Sequence, residues 1–175
     1  MKLWAKHTGF TIVELLIVIV VIAILAAITI VAYSGLQQRT RDNIRKSDLT
    51  SIAKALKLYS VDNGPMWIGV GCGSNGNGSG WFNYNYSPSG MNKCLKTAGV
   101  IDKDIVDPSG SINCSIGSLD CHAYMKYTCS QGGTATTYVY ANLETLVHTT
   151  SDTDGTCAVN LDTDYGMNYF VKITD

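Results

Sequence analysis

The chain is predicted to fold as an α+β protein: one long N-terminal helix followed by a small antiparallel sheet domain stapled by disulfides. Three observations carry this. Leu15 to Tyr33 is a run of 19 residues without a charge, and it leads into a stretch with helical apolar spacing that lasts until Asn63-Gly64-Pro65. The C-terminal third contains β-rich runs separated by a Gly-Gly pair. All six cysteines, Cys72, Cys94, Cys114, Cys121, Cys129 and Cys157, follow the helical part. An even number of cysteines in a region of this kind suits an oxidising compartment.

At 1.5 Å per residue the uncharged run is about 28 Å of helix, close to the hydrocarbon thickness of a bilayer, so a transmembrane span is expected there. The 142 residues after Tyr33 are within the range of one domain with its own core. Leu49, Ile52, Leu56 and Tyr59 recur at spacings of three, four and three, an apolar stripe from which Arg45, Lys46, Lys54 and Lys57 are read as lying largely off. Gly64 and Pro65 end the helix, because Gly tolerates a left-handed cap and Pro cannot continue the ladder. A single helix from Phe10 to about Val61 would be roughly 78 Å long. Gly35 beside Ser34 is the place where a bend is expected.

Charge is distributed unevenly. Residues 36 to 61 carry +4 and residues 62 to 175 carry −6. The cations Arg39, Arg41, Arg45 and Lys46 either pair with acids of a neighbouring molecule or form a solvated helix face.

Between Asn63 and Gly90 the composition turns to Gly, Ser and Asn, and residues 71–80 read as a surface loop. No Lys-Ser/Thr ending and no strand-Gly-helix context accompany its glycines, which argues against a nucleotide cradle. Trp67, Trp81, Phe82, Tyr84 and Tyr86 either pin this loop to the core or offer a stacking platform for a glycan or nucleic acid. A short helix is expected around Met91 to Ala98. Ala123–Cys129 and Ala135–Ala141 read as a hairpin across Ser-Gln-Gly-Gly, and Met167–Ile173 as a third strand.

Six thiols leave the connectivity open; the pairing read here is Cys72–Cys94, Cys114–Cys121 and Cys129–Cys157. A zinc site is the alternative, but no Cys-x2-Cys pair is present and His122 stands apart from His148. The segment 144–166 reads as a long acidic loop in which Asp152, Asp154, Asp162 and Asp164 are candidate calcium ligands, without the closing Glu of an EF-hand. The bland alternative is a solvated loop with Asx-turns. His7, His122 and His148 have no nucleophile or acid at a catalytic spacing, so no enzyme is expected.

The remaining motif is Gly9-Phe10-Thr11-Ile12-Val13-Glu14, placed directly before the apolar run and after a short leader bearing Lys2 and Lys6. A lone carboxylate beside a span costs roughly 2–3 kcal/mol or more on insertion scales and calls for a cation. No small-residue cleavage site follows the apolar run, so it is not a removable signal peptide. The motif resembles the prepilin signature of type IV pilins and pseudopilins. This resemblance implies that residues 1–9 are a leader cut by a prepilin peptidase between Gly9 and Phe10, and that Phe10 becomes N-methylated. It implies that residues 10–35 form the transmembrane and filament-core half of a spine helix, 36–62 its amphipathic half, and 63–175 a globular head whose sheet lies across the spine. It gives Phe10 and Glu14 a role in assembly, with Glu14 meeting the free amine of a neighbouring subunit. Val31 stands where many type IV pilins carry a helix-breaking Pro, so nothing here forces the spine to unwind.

The partners so implied are other pilin subunits, the prepilin peptidase, the assembly platform with its ATPase machinery, and the membrane. The functions implied are a filament serving adhesion, surface motility or DNA uptake, or a pseudopilin of a type II secretion-like machine. A membrane-anchored head that binds sugar or nucleic acid is the reading from another class. Positive-inside counting alone would put the C-terminal side in the cytoplasm. The resemblance and the cysteines place the head outside, first at the cytoplasmic membrane and then in an extracellular filament.

Overall fold

A computed structural model describes residues 9–64, 80–83, 90–131, 134–149 and 161–173. It divides into two compact units, one up to Gln38 and one from Arg39 onward.

Helix α1, Ile12–Asn63, is unbroken through Ser34 and Gly35. In the first unit its side chains are exposed, and its most apolar window is long and apolar enough to cross a membrane with none of it buried. The hydroxyl of Thr29 donates to the Leu25 carbonyl at 2.6 Å, so this polar group is satisfied within the helix, as a lipid environment requires. No break accompanies Val31.

In the second unit α1 buries one face. Leu49, Ile52 and Leu56 are fully enclosed, with Ala53 and Ala55 beside them. Each large aliphatic side chain so buried contributes about 1.5–3 kcal/mol. The face also contains Asp42 and Arg45, both buried, because the spacings of three and four continue backward from Leu49. Arg45 therefore lies on the stripe, not off it, and this corrects the sequence reading. The helix ends at the expected place: Gly64 N–H donates to the Ser60 carbonyl at 3.0 Å, with Gly64 at φ 78°, a left-handed conformation open to Gly.

The sheet is an antiparallel meander of four strands in sequence order. Strand β1 is Gly80–Trp81, β2 Met125–Gln131, β3 Thr134–Ala141 and β4 Tyr169–Ile173. Lys126 is the partner of both Gly80 and Val139, and Val139 is the partner of Val171. The expected hairpin and last strand are present, and the hairpin strands extend to Gln131 and Thr134. β1 falls where a surface loop is read from composition, because two residues give no period to detect.

Alternation along the strands divides the interior into two cores. Tyr124, Val139, Ala141 and Ile173 pack with the α1 aliphatics, Phe82 and helix α2, Met91–Thr97. Met125, Tyr138, Tyr140, Leu161 and Met167 form the second core, where Tyr138 meets Phe170 edge-on at 5.5 Å. Helix α3, Leu161–Tyr165, closes that side, so the segment read as a continuous loop to residue 166 contains a helical turn before Gly166. A Cβ at Gly166 would approach the Leu119 carbonyl to 2.6 Å, which fixes how closely α3 and the 114–121 loop meet.

Cys114 and Cys121 are disulfide-bonded, with Cα atoms 5.6 Å apart. Closing a loop this short is worth about 2.5 kcal/mol in the chain-entropy account. Cys94 is also disulfide-bonded. Cys72, Cys157 and the Cys129 side chain lie outside the described residues, and with them the pairings Cys72–Cys94 and Cys129–Cys157.

Candidate functional site

Gly9 and Phe10 precede the helix and are exposed. Thr11 is its N-cap. The Glu14 backbone N–H donates to Thr11 Oγ1 at 3.2 Å, while Glu14 Oε2 accepts the Thr11 backbone N–H at 2.8 Å and the Thr11 hydroxyl at 2.7 Å. This is a capping box, in which two of the helix's orphan donors are satisfied reciprocally. A carboxylate in the first turn also opposes the positive end of the helix dipole. Thr11 and Glu14 thus form one local unit, directly after Phe10, whose carboxylate is already oriented in the isolated chain. The Thr-x-x-Glu spacing is itself the signal for this, and sequence reasoning had missed it.

The second polar constellation lies in the other unit. Arg45, 0% exposed, donates from Nε to Asp107 Oδ2 at 2.7 Å, from Nη1 to Asp42 Oδ1 at 2.9 Å and from Nη1 to Glu144 Oε1 at 2.7 Å. Arg41 donates from Nε to Glu144 Oε1 at 2.6 Å and from Nη2 to its other oxygen, a bidentate fork. Asp42 in turn accepts the backbone N–H groups of Glu144 and Thr145, each at 2.9 Å. Asp107 is delivered by the segment after α2, which Asn92 brackets through the Ile105 carbonyl and N–H at 2.9 and 3.1 Å. Two arginines and three carboxylates therefore fasten α1 to two loops of the domain. Neither sequence expectation for Arg41 and Arg45, a partner molecule or a solvated face, holds: their acids are in the same chain. Lys46 reaches over the Tyr169 ring, 5.6 Å from its centroid, and Arg39, Lys54 and Lys57 remain exposed.

Burial raises the Asp42 pKa, and its bonds to Thr145 and Glu144 more than reverse this, leaving it lowered. The Arg41 hydrogen bond, with help from Arg45, holds Glu144 at about 2. Burial pushes Asp48 up despite the Tyr124 hydroxyl it accepts at 2.6 Å. Lys126 lies fully enclosed between β1 and β3, and burial pushes it down to about 8. These shifts set a pH profile. A carboxylate whose folded pKa is depressed contributes stability above its ordinary value of 4.5 that is lost as pH falls toward 2. Asp48 opposes this with a smaller shift. The enclosed Lys126 ammonium adds a slope of the same sign at the alkaline end, since its unfavourable burial is relieved, and stability rises, as pH goes from about 8 toward 10.5. The melting temperature of the full chain in detergent should fall steeply below pH 4.5 and, in a Lys126→Met variant, lose the alkaline part of its slope.

The other candidate residues are placed as follows. Asp162 is buried, and its two oxygens accept from His148 Nδ1 and the Thr149 N–H at 2.7 and 2.6 Å. Asp164 is half-buried on α3. Asp152 and Asp154 lie outside the described residues, and no group of His, Cys, Asp and Glu with metal-binding geometry occurs among the described ones. His122 Nδ1 bonds the Asn142 carbonyl at 2.9 Å. Phe82 is buried in the core, and Trp81 packs edge-on against Tyr165 at 5.3 Å, so these two pin their segment. Trp67, Tyr84 and Tyr86 lie outside the described residues.

Residues 4–30 match the family described as prokaryotic N-terminal methylation motif. Similar curated proteins include the type II secretion system core protein G of Pseudomonas aeruginosa, 33% identical over 58 residues, which are 33% of this chain and 41% of that one. The type IV wide pilus major component PilA4 of Thermus thermophilus is 42% identical over 55 residues, 31% of this chain and 42% of that one. The core protein G of Escherichia coli is 32% identical over 63 residues, 36% and 43% respectively. The chain thus spans less than half the length of the curated relatives it matches, and no solved structure matches it. Residues 4–30 thus carry a prokaryotic N-terminal methylation motif at the head of a long apolar helix, and over about a third of its length the chain is similar to a type IV pilus component and to type II secretion core G proteins.

Proposed function

We propose that the chain is a structural subunit of a type IV pilus-like filament. Its leader is cut between Gly9 and Phe10, its α1 anchors it in the cytoplasmic membrane with the second unit outside, and Glu14 receives the methylated amine of a neighbouring subunit on assembly. The observation that carries this is the joint presence of Gly9-Phe10-Thr11-x-x-Glu14 and an apolar helix whose surface has no cover in the single chain. Such a surface is stable in lipid or against copies of itself. The likeness to a pilus major component supports the filament reading; the likeness to two core G proteins supports the neighbouring one, a pseudopilin in a type II secretion-like machine. In both the chain serves as a building block, with assembly platform, ATPase and prepilin peptidase as its partners.

Mass spectrometry of assembled subunits should find an N-methylated Phe10 terminus. An intact Met1 terminus there would refute the processing step. Immunogold labelling of intact cells then separates the two readings, since label along whole surface filaments means a pilus and label confined to the envelope means a secretion pseudopilus.

A further inference from the structure

The second unit has two exposed patches of opposite character. One is a corner made by the disulfide loop 114–121, residues 142–149 and α3. Asn142 Nδ2 donates to the Leu119 and Cys121 carbonyls, the Gly117 N–H donates to the Asp164 carbonyl at 2.7 Å, and Asp162 holds His148, so the three pieces are tied together. The corner nevertheless exposes Ile116 (76%), Leu119, Leu146 and Val147 (85%). Asp120 and Asp164 flank them, and residues 109–122, 142–149 and 161–166 contain no Lys or Arg. The other patch is the outer face of the last turns of α1, where Leu58 and Val61 (79%) are exposed beside Lys54 and Lys57. Asp62 follows, and the two lysines outnumber it.

These patches are at different levels of one element. The corner is fastened to α1 at Asp42 through the Glu144 and Thr145 N–H groups, and Leu58 is 16 residues further on, about 24 Å along the helix. Each patch is apolar at its centre, but one is acidic and the other basic. Neither suits a copy of itself, because like charges would face each other across a desolvated contact. Each suits the other. Two different complementary surfaces on one molecule make a head-to-tail contact, which does not close as a two-fold dimer and propagates as an open helical polymer where the rotation between copies closes no ring.

We propose that the Ile116–Leu119–Leu146–Val147 corner of one subunit receives the Lys54–Lys57–Leu58–Val61 face of a second copy, and that this contact links successive subunits along the helix direction. This rests on the filament reading above. It assigns to the folded domain a specific contact in addition to the one that Glu14 makes at the head of the apolar helix.

The test is a charge exchange in full-length chain expressed in filament-forming cells. Lys54→Glu with Lys57→Glu, and separately Asp120→Lys with Asp164→Lys, should each lower filament number about tenfold, the change in an association constant that about 1.4 kcal/mol produces. All four together should restore it. In parallel, a photoreactive benzophenone residue at position 147 of the otherwise unaltered chain should crosslink to the peptide containing Leu58 of a second copy. Filaments from the native chain with no effect of either reversal, no restoration by the combination, or crosslinks mapped elsewhere would overturn the inference and leave the filament reading standing. Absence of any filament or crosslinked multimer from the native chain would overturn both.

Discussion

Replacing Arg45 with alanine is expected to destabilise the folded domain by about 3–5 kcal/mol, the usual consequence of removing one partner from a buried ion-pair group. Asp107 and Asp42 have side chains 0% and 3% exposed, and without the guanidinium they would be enclosed negative charges that keep only neutral donors, Ser109 on one and the Glu144 and Thr145 groups on the other. A domain's whole stability is only about 5–15 kcal/mol, so most of it is at stake. The melting temperature of the full chain in detergent should drop by roughly 10 °C or more. Arg45→Lys should not rescue it, since an ammonium cannot span Asp107, Asp42 and Glu144 as the planar fork does. Arg45→Met combined with Asp107→Leu should recover part of the loss, because replacing a buried pair by apolar groups is far less costly than halving it. Equal melting temperatures for Arg45→Ala and the native chain would refute the assignment of this network as the joint between α1 and the domain.

Replacing Glu14 with alanine should leave membrane insertion intact or improved, since it removes a charge beside the span. If the proposed assembly is right, it should abolish or sharply reduce filaments, because the neighbour's amine would then be enclosed without a counter-charge, a loss of about 3–5 kcal/mol per contact. The capping box adds a second variant. Thr11→Val keeps the carboxylate but removes the hydroxyl that donates to it and accepts the Glu14 N–H, so it should weaken the helix start by about 1 kcal/mol and reduce filaments less than Glu14→Ala does. Filament counts by electron microscopy, with membrane-fraction blots for insertion, decide between them. Normal filament numbers from Glu14→Ala would exclude the pairing.

What was legible in the sequence was what repeats locally. The apolar run, the Leu49, Ile52, Leu56 spacing, the Asn63-Gly64 stop and the β-rich runs around Gly132-Gly133 each declare themselves within a few residues. The arginine network does not. Arg45 is 62 residues from Asp107 and 99 from Glu144, and on a helix a cation looks the same whether its partner is water or a distant loop. β1 is too short to carry a period, and its pairing follows from β2. Asp162 reads as a possible cation ligand in an acidic loop, whereas the fold encloses it with His148. At the N-terminus the capping box is written in the Thr11-x-x-Glu14 spacing, but the stronger motif containing those residues draws attention to processing instead of to helix initiation.

The joint between α1 and residues 142–146 also orders events in time. Chains are made from the N-terminus, and contacts between residues about 100 apart must wait for both ends and for the closure of the intervening loop. Arg41 and Arg45 emerge early, directly after the apolar segment, while Glu144 arrives only near the end. Until then Leu49, Ile52 and Leu56 have no sheet to cover them and the two arginines keep their water. The carboxylate of Glu144 therefore acts as a mark of completion: a chain truncated before it would have to enclose Arg45 against an incomplete set of acids, and the last third of the protein decides whether the first folded helix acquires a domain.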